Sequence, residues 1–445
     1  MIKANFIWPL MAFSLLILQS QSWAQETLFI ENAIKRAQEN DPWIEGNKYM
    51  QAATISSSVA AGSLADPQVS IGFANLPTDS FSFNQESMTQ IKVGLSQMFP
   101  PGDSLNIKKR RLQLEADEFP YLRENRNAIV SVSVGQLWLE VYQAQTTIAL
   151  IEKNRSLFEQ LTEIAMSSYA SAMGKTRQQD IIRAQLELTR LNDRVTMLNQ
   201  SREMSFEKLS EWLNVENSDL NFTIADQLPN IMIAYPRYLN PDIHINDEEL
   251  YEHFSNHPMM TALVQKIKAS VAGVDLAKQK YKPAWGMSAS YGRRNNDPFG
   301  HSRADALTVG VSLSVPLFTA NRQDKEYQSA VSKREAIRTQ KWQTLRKLKA
   351  GFETSRAQLF RLEQRQKLFE TQLLPQMSEQ AEASLTAYTN DDGDFAEVVR
   401  ARIAQLNAQI DALNINVDKQ KAILQLNYYF SESTKHNQER SGEIR

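Results

Sequence analysis

The sequence predicts a mainly α-helical chain of long antiparallel helical hairpins with a small β portion of four strands. Three observations predict it. Apolar residues recur at alternating four- and three-residue spacings over long stretches, two pairs of short alternating segments interrupt that pattern, and the whole arrangement occurs twice.

The duplication is read from fixed points. Pro42 and Pro258, Pro67 and Pro283, Gly94 and Gly310, and Pro100 and Pro316 are each separated by one offset (258 − 42 = 216). A constant offset over about sixty residues marks two copies of one supersecondary unit. The units are expected at 25–214 and 247–430. A leader occupies 1–24, a proline-rich connecting segment without helical period occupies 215–246, and a flexible polar tail is expected at 431–445.

Each unit opens with a helix, "ENAIKRAQENDP" running into "WIEGNKYMQAATISSSVAAGSLA" and "DEELYEHFSNHP" running into "MMTALVQKIKASVAGVDLAKQKY". Pro67 and Pro283 are expected to end these helices, because proline disfavours helical geometry in the residue before it. Strand pairs follow at about 67–100 and 283–317. Val69, Ile71 and Phe73 share one face with Val93 and Leu95 in the first pair, and Trp285 and Met287 lie on the corresponding face in the second. The closing strand, "TVGVSLSVPLF" at 308–318, puts Val309, Val311, Leu313 and Val315 on one face and Thr308, Gly310, Ser312 and Ser314 on the other. Each unit therefore holds one hairpin.

After each hairpin the period becomes helical. Positions 130, 134, 137, 141, 144, 148, 151, 155, 158, 162, 165 and 169 are apolar except Arg155 and Thr162, the spacing of a coiled-coil seam. If 103–172 were unbroken it would be a rod of about 105 Å. Gly174 and Gly393 are expected to turn the two hairpins, glycine accepting the left-handed geometry of a helix exit. Tyr169 and Tyr388 fall on the seam beside the turns, and packing is the reading expected of them.

Composition excludes other classes. With no cysteine, neither a disulfide framework nor a thiolate metal site is available. A net charge of −2 and a pI near 6.3 exclude a nucleic-acid partner held by a basic surface. Lys3, the apolar run "FIWPLMAFSLLIL" and "SWA" ending at Ala24 form the pattern of a cleaved secretory signal peptide. No nucleophile elbow, phosphate loop or paired catalytic carboxylates stand out, so no enzyme and no cofactor are expected. His253 and His257 have the i, i+4 spacing of a zinc pair but lack the adjoining glutamate, and no metal site is expected there.

Strands of about ten residues suit a tilted membrane crossing. A sheet in lipid must close, since each unsatisfied backbone group in hydrocarbon costs several kcal/mol. Four strands are too few, so several chains must pool strands into one barrel, with the valine face of 309–315 toward lipid and the serine and glycine face toward a watery lumen. A soluble sheet with one buried face produces the same alternation; the signal peptide, the absent disulfides and the rods favour the membrane.

The duplicated helix, strand pair and long hairpin, with "LLPQMSEQAEASLTAY" (373–388) entering the second turn and "GDFAEVVRARIAQL" (393–406) leaving it, resemble the TolC family of outer-membrane efflux ducts. "LADPQVSIGFANLP" (64–77) followed by "ESMTQIKVGLSQMFPPGD" (86–103) is similar to the heavy-metal-efflux branch. The resemblance implies a homotrimer in the outer membrane of a Gram-negative bacterium, whose twelve strands form one barrel set in outer-membrane lipid and continue as an α-helical barrel in the periplasm. It implies two further partners, a periplasmic adaptor protein and an inner-membrane pump of the resistance-nodulation-division type. Metal ions are the first cargo it suggests, with drugs, other small amphiphiles or a secreted polypeptide as alternatives. A periplasmic coiled-coil scaffold is the alternative of a different class.

Function is expected to concentrate at the turns, where Tyr169 and Tyr388 are candidates for gating or adaptor docking. One carries Lys175 and Arg177 beside Gly174, and the other carries Asp391, Asp392 and Asp394 around Gly393. Turns of opposite sign would attract across a periplasmic mouth, each exposed pair contributing about 0–1 kcal/mol.

Overall fold

The computed structural model describes residues 26–170, 177–213, 222–239, 247–390 and 392–433. The leader, Gly174, Lys175 and Asp391 lie outside the described residues.

Helices dominate, and proline sets where several of them begin. Strand β1 (Glu26–Leu28) leads into α1 (Ile30–Glu39) and α2 (Pro42–Ala61). Pro42 at the first helical position separates these two, with the Asp41 carboxylate accepting the Trp43 amide as N-cap. α2 ends at Ala61, before Pro67 is reached, so that proline follows the helix rather than stopping it. The hairpin β2 (Gln68–Ala74) and β3 (Gln90–Phe99) comes next. The rod expected over 103–172 is broken. α3 covers Ser104–Ala116 and α4 covers Phe119–Ala170, because the Pro120 ring would collide with the Ala116 carbonyl in a continuous helix. α4 alone is about 78 Å long, and α5 (Gln178–Leu213) returns along it.

Part of the connecting segment is structured. β4 (Phe222–Ile224) pairs in parallel with β1, Glu26 opposite Phe222 and Leu28 opposite Ile224, and a 3₁₀ turn spans Pro236–Leu239. The indole of Trp138 donates to the Leu28 carbonyl at 2.9 Å and anchors this small sheet on α4.

The second unit repeats the order with α6 (Asp247–Ser255), α7 (Pro258–Gln279), β5 (Ala284–Arg294) and β6 (Ala306–Ser314). α7 likewise ends before Pro283. Then come α8 (Gln323–Leu368), a π-turn (Phe369–Leu373), α9 (Leu374–Thr389) and α10 (Phe395–Tyr429). The π-turn precedes Pro375, which has no N–H to offer the Thr371 carbonyl and would clash with it in a regular helix.

Three cores hold the helices. One gathers Trp138, Leu139, Leu209 and Phe222 around β1 and β4, and a second gathers Phe254, Met260, Phe352 and Phe430. The third zips the lower hairpins through Ile151, Phe158, Ala165, Val399, Leu406 and Ile410. The expected seam is buried from Val130 to Ala165, with Leu137, Ile148 and Arg155 partly covered, but Tyr169 does not pack: it is 53% exposed. The first residues of the segment expected to be a free tail are packed: the Glu432 side chain and Ser433 are buried, and the Ser433 amide donates to the Asn256 carbonyl at 3.1 Å; residues 434–445 lie outside the described residues.

Candidate functional site

The four longer strands form one antiparallel sheet in the order β2-β3-β5-β6. Each hairpin pairs internally, and the two copies are joined through β3 and β5, Gly94 opposite Ser290 and Phe99 opposite Trp285. The hairpins differ by two residues in register. Partner numbers sum to 68 + 96 = 164 in the first and 284 + 314 = 598 in the second, which is 2 × 216 + 2 larger. An even shift leaves every side chain on its original face.

Cross-strand rows therefore sort by chemistry. One face carries the rows Val69–Leu95–Ala289–Val309, Ile71–Val93–Tyr291–Leu307, Gln97–Met287–Val311 and Phe99–Trp285–Leu313, with Phe73–Ile91–Arg293 at its far end, so that it is apolar but for Gln97 and Arg293. Side chains there are bare: Ile71 is 76% exposed and Val309 68%. Val315 is exposed too, but lies one residue past the end of β6. The other face carries Ser70–Gly94–Ser290–Thr308, Ser96–Ser288–Gly310 and Gly72–Lys92–Gly292. It is small and polar, and crowded at the surface: a Cβ on Gly94 would stand 2.7 Å from the Ser70 hydroxyl.

The apolar face has aromatic ends. Phe99 and Trp285 stack with centroids 4.3 Å apart at the helix-proximal end, and Phe73 meets Phe83 edge-on at 5.4 Å near the other. Between Phe99 and Ile91 the band runs about 27 Å along β3, or roughly 20 Å upright at a 40° tilt. Such a large exposed apolar patch marks a surface made to be covered. The outer edges of β2 and β6 pair with no strand among the described residues.

At the opposite end of the molecule stand the helix turns. Asp392 and Asp394 flank Gly393, the Asp392 amide donating to the Ala387 carbonyl at 2.9 Å. The Asp394 carboxylate accepts the Ala396 amide at 3.2 Å and caps α10. Gly393 is not in the left-handed region expected of it. Its lack of a side chain matters because a Cβ would stand 2.6 Å from the Tyr388 nitrogen. Tyr388 packs edge-on against Phe395 at 5.6 Å, and in the first turn the Arg177 amide donates to the buried Asp180 carboxylate at 2.9 Å. Arg177 and Tyr169 are exposed.

His253 and His257 serve packing. His257 caps α7 and is fully buried, while His253 lies 3.5 Å from the Glu432 carboxylate among Tyr235, Tyr238 and Phe430. No helix among the described residues is long and apolar enough to cross a membrane. Three site features carry no local sequence signal: the pairing of β3 with β5, the Phe99–Trp285 stack, and a basic groove beneath the sheet.

No family model and no curated relative matches the sequence. Solved structures do. The CmeC outer membrane channel of Campylobacter jejuni shares 13% identity at a TM-score of 0.72, over 98% of this chain and 97% of that one. The outer-membrane channel OprN shares 14% at 0.75, over 91% and 90%. CusC, described as forming a transmembrane channel, shares 12% at 0.72, over 94% and 96%. The chain has the TolC-like fold of these outer-membrane channels over most of its length.

Proposed function

We infer that three copies of this chain form the exit duct of a tripartite efflux system, a passive conduit from the periplasm across the outer membrane. The observation that carries this reading is the sheet: four strands with one bare apolar face, one small polar face and two open edges. In lipid those edges would leave backbone groups unsatisfied. Joining β2 of one copy to β6 of the next removes every edge and gives 3 × 4 = 12 strands around a bore lined by serine and glycine. The rods continue the bore into the periplasm, and the two halves, 25–214 and 247–430, are read as descendants of one unit.

Docking falls at the helix turns, which carry the exposed Arg177 and the Asp392–Asp394 pair. A periplasmic adaptor would engage there, fed by an inner-membrane pump of the resistance-nodulation-division type. Energy comes from the pump; the duct contributes only shape and charge. The similarity of 64–77 and 86–103 to the metal-efflux branch makes metal ions the first candidate cargo and small amphiphiles the second.

The chain has no cysteine, so engineered thiols report cleanly. Ile71→Cys on β2 combined with Val311→Cys on β6, oxidised in outer-membrane preparations, is expected to give covalent dimers and trimers. A monomer found only in the soluble periplasmic fraction overturns the reading and favours the coiled-coil scaffold.

A further inference from the structure

Just below the sheet, α3, α7 and the start of α8 enclose a groove of about 880 Å³. Its floor is apolar: Ala269 and Ala277 are buried, and Gly273, Leu276 and Ile337 complete it. Its charge is one-sided. From α3 it receives Arg111 and Glu115, from the break between α3 and α4 Glu118, from α7 Lys266, with Lys280 just beyond its end, from the N-cap of α8 Arg322, and from α8 itself Lys325, Glu326 and Lys333. The balance is 6 − 3 = +3. Two of the carboxylates are spent internally, Glu115 on Arg111 at 3.3 Å and Glu326 on Lys280 at 2.9 Å. The third, Glu118, is pushed above the usual carboxylate range by burial, opposed by the charge of Lys266. Among the described residues, no carboxylate pairs with Arg322, Lys325 or Lys333.

In the proposed duct the groove would open toward the bore. Lys280 and Arg322 also line a smaller cavity of about 470 Å³ that meets Ala284 and Ser314, partners in one row of the sheet. Alternation puts that row on the face of Gly286, Ser288 and Gly310, the face turned away from lipid in the duct.

We propose that this groove is a transit site for anionic amphiphiles in the wall of the duct, three per trimer. The ligand chemistry is a carboxylate or sulfonate head on a rigid apolar body: the head faces Arg322, Lys325 and Lys333, and the body lies on the alanine and glycine floor. This rests on the duct reading and names anionic amphiphiles as a cargo class, since a net positive groove attracts their heads and repels free metal cations.

The test uses the full-length trimer in planar bilayers, with cholate as probe and cholate methyl ester as its uncharged control. Cholate is expected to half-block the open channel at a lower concentration than the ester. In R322Q/K325Q/K333Q the cholate half-block is expected about tenfold higher, with unblocked conductance retained. Ser329→Glu, which adds a negative charge inside the groove, is a second variant expected to weaken cholate block and leave the ester unaffected. Equal block by cholate and ester, or block unchanged in both variants, overturns the transit site while the duct stands. A wild-type protein that conducts nothing overturns the duct reading, and the site with it.

Discussion

The imidazole of His257 joins the start of α7 to the end of α10: Nδ1 accepts the Met259 amide at 3.2 Å, and Nε2 lies 3.1 Å from the Tyr428 carbonyl. Both contacts are satisfied by the neutral ring with its proton on Nε2. A second proton on Nδ1 would face an N–H and abolish the cap. Burial, aided by the nearby charge of His253, lowers the His257 pKa to about 4 from an ordinary 6.5, against the opposing pull of the Tyr428 carbonyl. The unfolded chain therefore binds the extra proton between these values. The contribution to stability is complete above pH 6.5 and is lost as pH falls toward 4, on the order of 3 kcal/mol in all. Thermal unfolding followed by helical circular dichroism from pH 7.5 to 4 is expected to show this loss. His257→Asn, which restores the cap without titrating there, is expected to flatten the profile.

The two faces of the sheet predict opposite tolerance. Val311→Arg puts a charge in the middle of the apolar band and is expected to destabilise the assembled barrel by about 2–4 kcal/mol. Ser312→Arg, one residue on, would face the bore of the proposed duct and is expected to leave assembly intact while lowering conductance. Heat-dissociation of the trimer on gels, with conductance of the survivors, distinguishes the faces. Equal damage from both would mean that neither side meets lipid.

Charge and capping are separable at Asp394. Its carboxylate holds the Ala396 amide, so Asp394→Ala removes an N-cap at a cost of about 1 kcal/mol, whereas Asp394→Asn keeps the cap and removes only the charge. If the acidic turn screens ions, Asp392→Asn/Asp394→Asn is expected to reduce cation preference, read as a shifted reversal potential in a salt gradient. If the turns hold the mouth shut by charge, Lys175→Ala/Arg177→Ala is expected to raise conductance.

Gly393→Ala is expected to displace the turn. The added methyl would stand 2.9 Å from the Ala387 carbonyl carbon as well as against the Tyr388 nitrogen, both of them backbone atoms that do not swing aside. The expected loss is about 1–3 kcal/mol, confined to the turn. Hydrogen exchange should quicken in 386–398 and stay unchanged in the sheet.

Much of this molecule is legible in its sequence wherever a side chain's neighbours lie at a fixed spacing along the chain. The buried run from Val130 to Ala165 follows the heptad, and the valine face of β6 follows the two-residue period. The 216-residue offset even pairs roles: His257 caps α7 as Asp41 caps α2, although one is a base and the other an acid that also accepts Arg126 at 2.7 Å. Legibility ends where long-range contact decides. Strands β1 and β4 have three residues each, too short to show a period, and exist because each supplies the other's partner. Tyr169 fits the heptad but is left exposed near the end of α4. Gly393 looks like a left-handed cap from spacing alone, while its need comes from the backbone of Ala387 and Tyr388. The basic groove gathers residues from three helices and has no linear motif.

The seam between β3 and β5 joins neighbours that leave the ribosome almost two hundred residues apart, Gly94 and Ser290 among them. If the chain is exported before it folds, as the proposed duct requires, its N-terminal half can fold β2 against β3 yet still presents the unclaimed flank of β3 to whatever it meets. On that route the hairpin would wait with one flank open until the later strands arrive.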